Sequence, residues 1–238
     1  MLSDVHSNLE ALDAVLATAD EAGCERILVL GDIVGYGADP DAVISRLHDR
    51  SSVAIAGNHD LAATGDFDVT WFNDAAAEAI RWTQEALSAG GKRYLEALSP
   101  TRTTQNALLV HGSVRDPIAE YLLSSEEAAA SFALADFSLA FFGHTHLPTV
   151  FRCRPDGRVT GWVIDAGEEV TLVAGERYML NPGSVGQPRD HDPRAAFLVW
   201  EDGRAIGHRV EYPIELAARK IRDAGLPPRL ADRLWVGE

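Results

Sequence analysis

Short apolar runs that break off at a glycine or a polar cluster recur along the chain. They are ERILVL before GD at 31–32, SVAIA before GNHD at 57–60, NALLV before HGS at 111–113, SLAFF before GHTH at 143–146, and YML before NPGSVG at 181–186. Runs of this length and punctuation read as buried strands. The early ones alternate with amphipathic segments: NLEALDAVLATADEAG, with Leu9, Leu12, Val15 and Leu16 on one helical face, and DPDAVISRLHDR. Such alternation predicts βαβ units and a largely parallel sheet. Ligands of open α/β sheets gather at the carboxyl ends of the strands, so side chains that directly follow these runs are expected to converge on one crevice.

The pattern changes twice. Residues 66–106 hold FNDAAAEAIRWTQEALSAGGKRYLEALSP, which predicts a helix capped by Asn73 or Asp74, a break at the Gly-Gly pair and a second short helix. This reads as a helical insertion that overhangs the crevice. From about 149 to 212 the segments TVFRCR, DGRVTGWVI, EVTLVAG, RYML, AAFLVWEDG and AIGHRVEY are hairpin-like and predict a second, mostly antiparallel sheet. The tail PIELAARKIRDAG, stopped by Gly225 and Pro227, begins C-terminal helices over about 213–236. The whole of 1–238 is expected to form one domain.

Nearly half the residues, 46%, are hydrophobic, enough for a sizeable core. No apolar run approaches the roughly eighteen residues of a membrane span, and no signal-peptide pattern opens the chain, so a cytoplasmic address is expected. Cys24 and Cys153 form no CxxC pair and fit a reducing compartment. Lys and Arg number 21 against 36 Asp and Glu, a net charge of −15 that disfavours long nucleic acids as partners. A phosphate-bearing substrate would need a local positive centre, and metal ions are the natural source.

Five of the eight histidines follow the predicted strands: His6 in SDVHSN, His59 in GNHD, His111 in HGS, and His144 and His146 in GHTH. Asp4, Asp32 and Asn58 join them. Asp4 and His6, like His144 and His146, stand two apart, the spacing that puts both side chains of an extended segment on one side. Taken singly, DxH could be a turn with a helix cap, GD a plain turn, and GNHD a loop capping its own backbone. Together and in this order they have little structural purpose, and imidazole, carboxylate and amide oxygen form a donor set suited to Zn, Mn, Fe or Ni.

The succession D-x-H, GD, GNH(D/E), H and GHxH resembles the calcineurin-like metallophosphoesterases over essentially the whole chain. The resemblance implies an α+β fold, a four-layer α/β/β/α sandwich of two mixed β-sheets. It also implies two divalent metal ions, with Asp4, His6 and His146 on the first, Asn58, His111 and His144 on the second, and Asp32 bridging both. Hydrolysis of small phosphoesters, monoesters or diesters, would follow by in-line attack of a bridging hydroxide. His59, free of metal, would protonate the leaving oxygen, with Asp60 orienting its ring.

GDIVGYG lacks the arginine that Ser/Thr phosphatases and diadenosine tetraphosphate hydrolases carry after GD, and its tyrosine is one place late for the tyrosine ligand of purple acid phosphatases. The chain looks most like the small prokaryotic phosphoesterase branch. Tyr36 then reads as a pocket wall. Arg189 reads either as a phosphate-binding guanidinium or as the partner of Asp190 or Asp192. Trp71, Trp82 and Phe72 read as core, and His48, His191 and His208 as solvated. The competing reading is a catalytically silent, metal-bearing scaffold that binds protein partners, as the retromer subunit of this fold does; the presence of all seven ligand positions argues for an enzyme. Only Met1 and Leu2 precede Ser3 where the fold needs an apolar strand to deliver DxH. The natural reading frame is therefore expected to begin upstream, or the first strand to be largely lost.

Overall fold

Strand alternation sets the layers. In β4 (Leu108–Val110), β5 (Leu139–Phe141) and β9 (Arg177–Pro182), Leu109, Leu139, Phe141, Tyr178 and Leu180 turn to one core, while Val110, Ala140 and Met179 turn to another. Successive strand residues face opposite sides, so a sheet with two apolar faces must be covered on both. The computed structural model, which describes residues 1–104, 107–201 and 203–238, meets that demand with four layers.

The larger sheet runs β3-β4-β5-β9-β6-β7, with β3 (Thr101–Thr103), β6 (Pro148–Cys153) and β7 (Val159–Val163). It is mixed: β4, β5 and β9 pair in parallel and the outer pairings are antiparallel. Its outer face packs on Ala128 and Phe132 of α6 (Ser125–Leu134). Its inner face meets Leu28, Leu30, Ile55, Leu198 and Ala205 across the central core. Phe141 is completely buried there, and truncating it to Ala would cost about 3–5 kcal/mol.

The facing layer consists of parallel β1 (Leu28–Val29) and β2 (Val53–Ala54), and antiparallel β10 (Ala195–Glu201), β11 (Arg204–Val210) and β8 (Glu169–Thr171). Met1 and Leu2 stitch the two pieces together. Leu2 donates to Leu28 O at 2.8 Å and accepts from Leu30 N at 2.9 Å, and the Met1 amino group donates to Leu198 O at 2.7 Å. The first residues thus lie centrally between β1 and β10. Helices α1 (Leu9–Glu21), α2 (Pro40–Asp49) and α7 (Ile214–Asp223) close the outside over the largest core.

Two expectations from the sequence are corrected. The segments over 149–212 do not make one antiparallel sheet. β6, β7 and β9 extend the larger sheet because β9 pairs in parallel with β5, and only β8, β10 and β11 enter the facing layer. Nor does Gly90-Gly91 break the helices. Both glycines lie in α5 (Ala89–Glu96), and the break after α4 (Asp74–Ala86) comes at Ser88, whose hydroxyl caps α5 by accepting from Gly91 N at 3.0 Å. Gly91 is there for contact: a Cβ would stand 2.9 Å from a Leu87 methyl and 3.4 Å from one of Ile44. Residues 105 and 106, the end of the expected insertion and the start of NALLV, and residue 202 in AAFLVWEDG lie outside the described residues. Among the described residues no helix is long and apolar enough to cross a membrane.

Candidate metal centre

The loops that end the strands bring the histidines and carboxylates together by tight left-handed turns. Asp4, His6, Asp32, His144 and His146 all have positive φ, between 49° and 66°. Non-glycine residues adopt this region at a cost and persist there only where the surroundings hold them. Asp4 and His6, and His144 and His146, therefore do not sit on extended segments, as their spacing predicts. They converge because each turn aims its side chain inward. Gly31, at φ 90°, lets this happen where the loops meet: a Cβ there would stand 2.6 Å from Gly57 N.

Two groups form around a shared carboxylate. Asp4, His6, Asp32 and His146 make one, and Asp32, His111 and His144 the other, every residue buried. Asp32 Oδ2 lies 3.6 Å from His6 Nε2 and 3.4 Å from His111 Nε2, while its Oδ1 accepts from His59 N at 2.9 Å. Asn58 Oδ1 is 3.1 Å from His111 Nε2, on the side of the second group.

Each imidazole is fixed from behind by a backbone carbonyl: His6 Nδ1 by Val34 O at 3.1 Å, His111 Nδ1 by Leu30 O at 2.7 Å, His146 Nδ1 by Gln187 O at 2.6 Å and His144 Nε2 by Ala119 O at 3.2 Å. A carbonyl only accepts, so a ring proton sits on the outer nitrogen, and in the neutral imidazole the inner nitrogen offers a lone pair. Inside, His6 Nε2 and His146 Nε2 stand 3.1 Å apart, and His111 Nε2 and His144 Nδ1 3.2 Å apart. Burial holds both His6 and His146 below the usual imidazole pKa, so neither brings a second proton to the contact at neutral pH. Two lone pairs facing at that distance call for a cation between them. Asp4 Oδ1, 3.3 Å from His146 Nε2, is buried with no hydrogen-bond partner, and is an oxygen donor fitted to the same cation. Burial opposes ionisation of Asp4, yet His146 holds it below the carboxylate range; His111 does the same for Asp32. At the second group burial lowers His111, but Asp32 outweighs it and the imidazole rises to about 9. There a proton competes with a metal. The donors fit divalent ions at both groups.

His59 and Asp60 start α3 (Asn58–Thr64). The His59 ring packs edge-on to His6 and Phe72, at 4.7 and 4.8 Å between centroids, and leans on Tyr36 at 4.5 Å. Gly35 makes room for it, since a Cβ there would collide with His59 Nδ1. Asp60 does not orient this ring, a correction to its expected role. Its carboxylate accepts from Ile33 N at 2.8 Å, Val34 N at 3.1 Å and Gly57 N at 3.0 Å, bracing the loop after β1 against α3. His59 Nδ1 is left without a partner, and burial lowers the imidazole to about 4. Burial and the Asp32 charge push Asp60 up to about 7 against the pull of the Gly57 and Val34 N–H groups.

His59 floors a cavity of about 150 Å³ together with Asp32, Asn58, His144 and His146. Tyr36 and Arg189 line it, with Arg189 Nη2 3.4 Å from Tyr36 Oη and 3.3 Å from Gln187 Oε1. Asp190 pairs with Arg209, and Asp192 with Arg194 and Arg209. Arg189 has no carboxylate partner among the described residues, and its Nε is buried without an acceptor. Sequence reasoning missed Tyr121, which stacks on His144 at 4.0 Å between centroids. It also misplaced Trp71. Trp82 and Phe72 do pack against the largest core, but Trp71 is 76% exposed on the cavity wall. His208 is half-buried, stacked on Phe197 at 4.8 Å.

The comparisons agree with this architecture. Residues 1–203 match the calcineurin-like phosphoesterase superfamily domain. The chain is 35% identical over 245 residues to an uncharacterized protein, MJ0912, of Methanocaldococcus jannaschii, covering 100% of this chain and 97% of that one. The crystal structure of a metallophosphoesterase from Sphaerobacter thermophilus superposes with a TM-score of 0.88 at 39% identity, covering 100% and 98% of the two chains. That of a hypothetical protein, PH1004, from Pyrococcus horikoshii gives 0.81 at 20% identity, covering 100% and 97%, and speaks to the fold alone. The loops that end the strands, the buried groups sharing Asp32 and the match over most of the length lead to one assignment: the chain belongs to the calcineurin-like phosphoesterase superfamily.

Proposed function

We propose that the protein is a dinuclear metal-dependent hydrolase of small phosphoesters. The observation that carries this reading is the facing of His6 Nε2 and His146 Nε2 at 3.1 Å, each ring fixed from behind by a backbone carbonyl on its other nitrogen. Asp4, His6 and His146 would hold one ion, Asn58, His111 and His144 the second, and Asp32 both. Mn, Fe, Zn or Ni suits these donors. When bound, two such ions supply Lewis-acid polarisation of the phosphoryl oxygens and a water of lowered pKa as nucleophile.

The chain's own side chains do the rest. Arg189, unpaired with any described carboxylate, binds a non-bridging phosphoryl oxygen, and the Tyr36 hydroxyl holds its guanidinium in place. His59 gives its proton to the leaving oxygen. Free, its imidazole is neutral at pH 7 because burial lowers it to about 4. The anionic charge of a bound phosphoester raises it again, so protonation and substrate binding go together. Asp60 keeps α3 seated under the site without touching the ring. The test is hydrolysis of a generic phosphomonoester and a generic phosphodiester by metal-reconstituted protein. Turnover that chelation removes and metal restores is expected. A fully loaded protein that cleaves neither ester overturns the proposal and favours the scaffold reading.

A further inference from the structure

An unbroken run of aromatic rings leads from the centre to solvent. The His59 ring meets Phe72 at 4.8 Å between centroids, Phe72 meets Phe67 at 5.8 Å, and Phe67 meets Trp71 at 6.1 Å. The last ring is the most exposed large hydrophobic side chain among the described residues, and it sits on the wall of the cavity that His59 floors. Leaving an indole in water forgoes most of the stabilisation its burial would give, and Trp71 does not stand alone: with Phe67 and Phe72 it lines one cavity, and contiguous apolar surface of that kind marks a ligand-binding groove. The 3-10 turn Val69–Trp71 fixes it: Asp68 caps the turn through Thr70 N at 2.9 Å, and Phe72 anchors the far end beside His59.

Size says what covers it. At about 150 Å³ the cavity is below the 300–1,000 Å³ that encloses a drug-sized ligand. A phosphoryl group fits within, and whatever hangs from it must emerge along the wall. In the reading proposed above, on which this inference rests, His59 protonates the leaving oxygen, so the leaving alcohol lies on the His59 side. That side continues as Phe72, Phe67 and Trp71. An aromatic wall recognises a planar ring, because stacking needs only a π-face.

We propose that the site takes phosphoesters whose leaving alcohol carries a planar aromatic ring, and that Trp71 stacks that ring at the cavity mouth. Trp71 acts on binding and selectivity, while the floor acts on the reaction. A nucleoside and a simple aryl alcohol share the chemistry, and the experiment separates them.

Affinities of metal-loaded protein for adenosine 5′-monophosphate, phenyl phosphate and glycerol phosphate are measured by calorimetry for wild type, Trp71→Ala and Trp71→Phe. Turnover of matching nucleoside, aryl and alkyl esters is followed in parallel. Trp71→Ala should lower the ratio of ring-bearing to glycerol phosphate affinity about tenfold, within the range of base stacking on an aromatic residue, and Trp71→Phe should recover most of it. The same ratio should fall in kcat/KM, chiefly through KM. An effect confined to the adenosine compound identifies a nucleoside; equal effects on adenosine and phenyl compounds identify any planar alcohol. Equal losses for all three ligands, or a wild type that does not prefer a ring, overturn the inference. A loaded protein that binds with the ring preference yet hydrolyses no ester sinks the phosphoesterase reading and leaves the stacking role standing.

Discussion

In the metal centre, His6, His111, His144 and His146 each commit one nitrogen to a backbone carbonyl, and every member of the two clusters is buried. On the wall of the adjoining cavity, Trp71 stands 76% exposed on a three-residue turn. Left-handed backbone at five buried residues of the centre is held in place by packing on all sides, and interiors that dense leave little freedom to repack. The wall meets the body where Phe72 packs beside His59, and the chain then enters α4, whose N-cap Asn73 accepts from Ala76 N at 3.1 Å. A floor built this way fixes a reaction class, whereas a wall built that way can change with little cost to the fold. Chemistry and selectivity are therefore expected to separate between the two.

The largest effect should come from Asp32, the one carboxylate in both groups. Asp32→Asn removes charge where two cations would repel. Metal content by elemental analysis should drop to one ion or none per chain, a loss beyond the roughly 10–100-fold in affinity typical of groups behind the ligands. Retention of two ions would break the bridging assignment.

Next comes His59, which touches both regions. His59→Ala should slow turnover by roughly 10²- to 10⁴-fold while metal stoichiometry holds, and the defect should be greatest for alkyl leaving groups and small for nitrophenolate. The pH dependence sharpens the point. Because the free imidazole is lowered to about 4 and protonates only with substrate, the alkaline fall in kcat should lie at higher pH than that in kcat/KM, and both should vanish in His59→Ala. Equal defects for both leaving groups would reject the acid role.

Arg189 stands between floor and wall. Arg189→Met should raise KM by about 10- to 100-fold, the worth of a hydrogen bond to a charged group, with a smaller change in kcat. Unchanged KM would return Arg189 to a purely structural role.

The smallest effect lies away from the site. A cavity of about 410 Å³ opens beside Met1, Leu28 and Trp200, continuing the strand position that Met1 and Leu2 occupy between β1 and β10. An apolar tetrapeptide fused ahead of Met1 should pair there and raise Tm by a few degrees, since about 1 kcal/mol moves a domain of this size by roughly 2–4 °C. No shift, or a fall, would show that the slot does not accept a strand.

Much of this was legible because the signals are local. Apolar runs that stop at Gly-Asp, Gly-Asn-His and Gly-His-Thr-His report where strands end and which polar atoms those ends carry, and βαβ alternation collects such ends on one side. Those segments, read with the family pattern they resemble, pointed to Asp4, His6, Asp32, His111, His144 and His146, which the fold brings into two groups. Tertiary structure decided the rest. Positive φ at Asp4, His6 and His144 replaced the extended geometry that the spacing suggests, because neighbouring loops can pay for local strain that an isolated dipeptide could not. Asp60, adjacent to His59 in sequence, answers instead to Ile33 and Val34 across the fold. The partition of 149–212 between two sheets turned on β9 finding β5, a pairing between distant segments. Trp71 and Phe72 have the same aromatic character one residue apart, and only the direction of a single turn sends Phe72 against His59 and Trp71 into water. Sequence carries what a residue can do; burial and direction, which depend on every other segment, settle whether it does it.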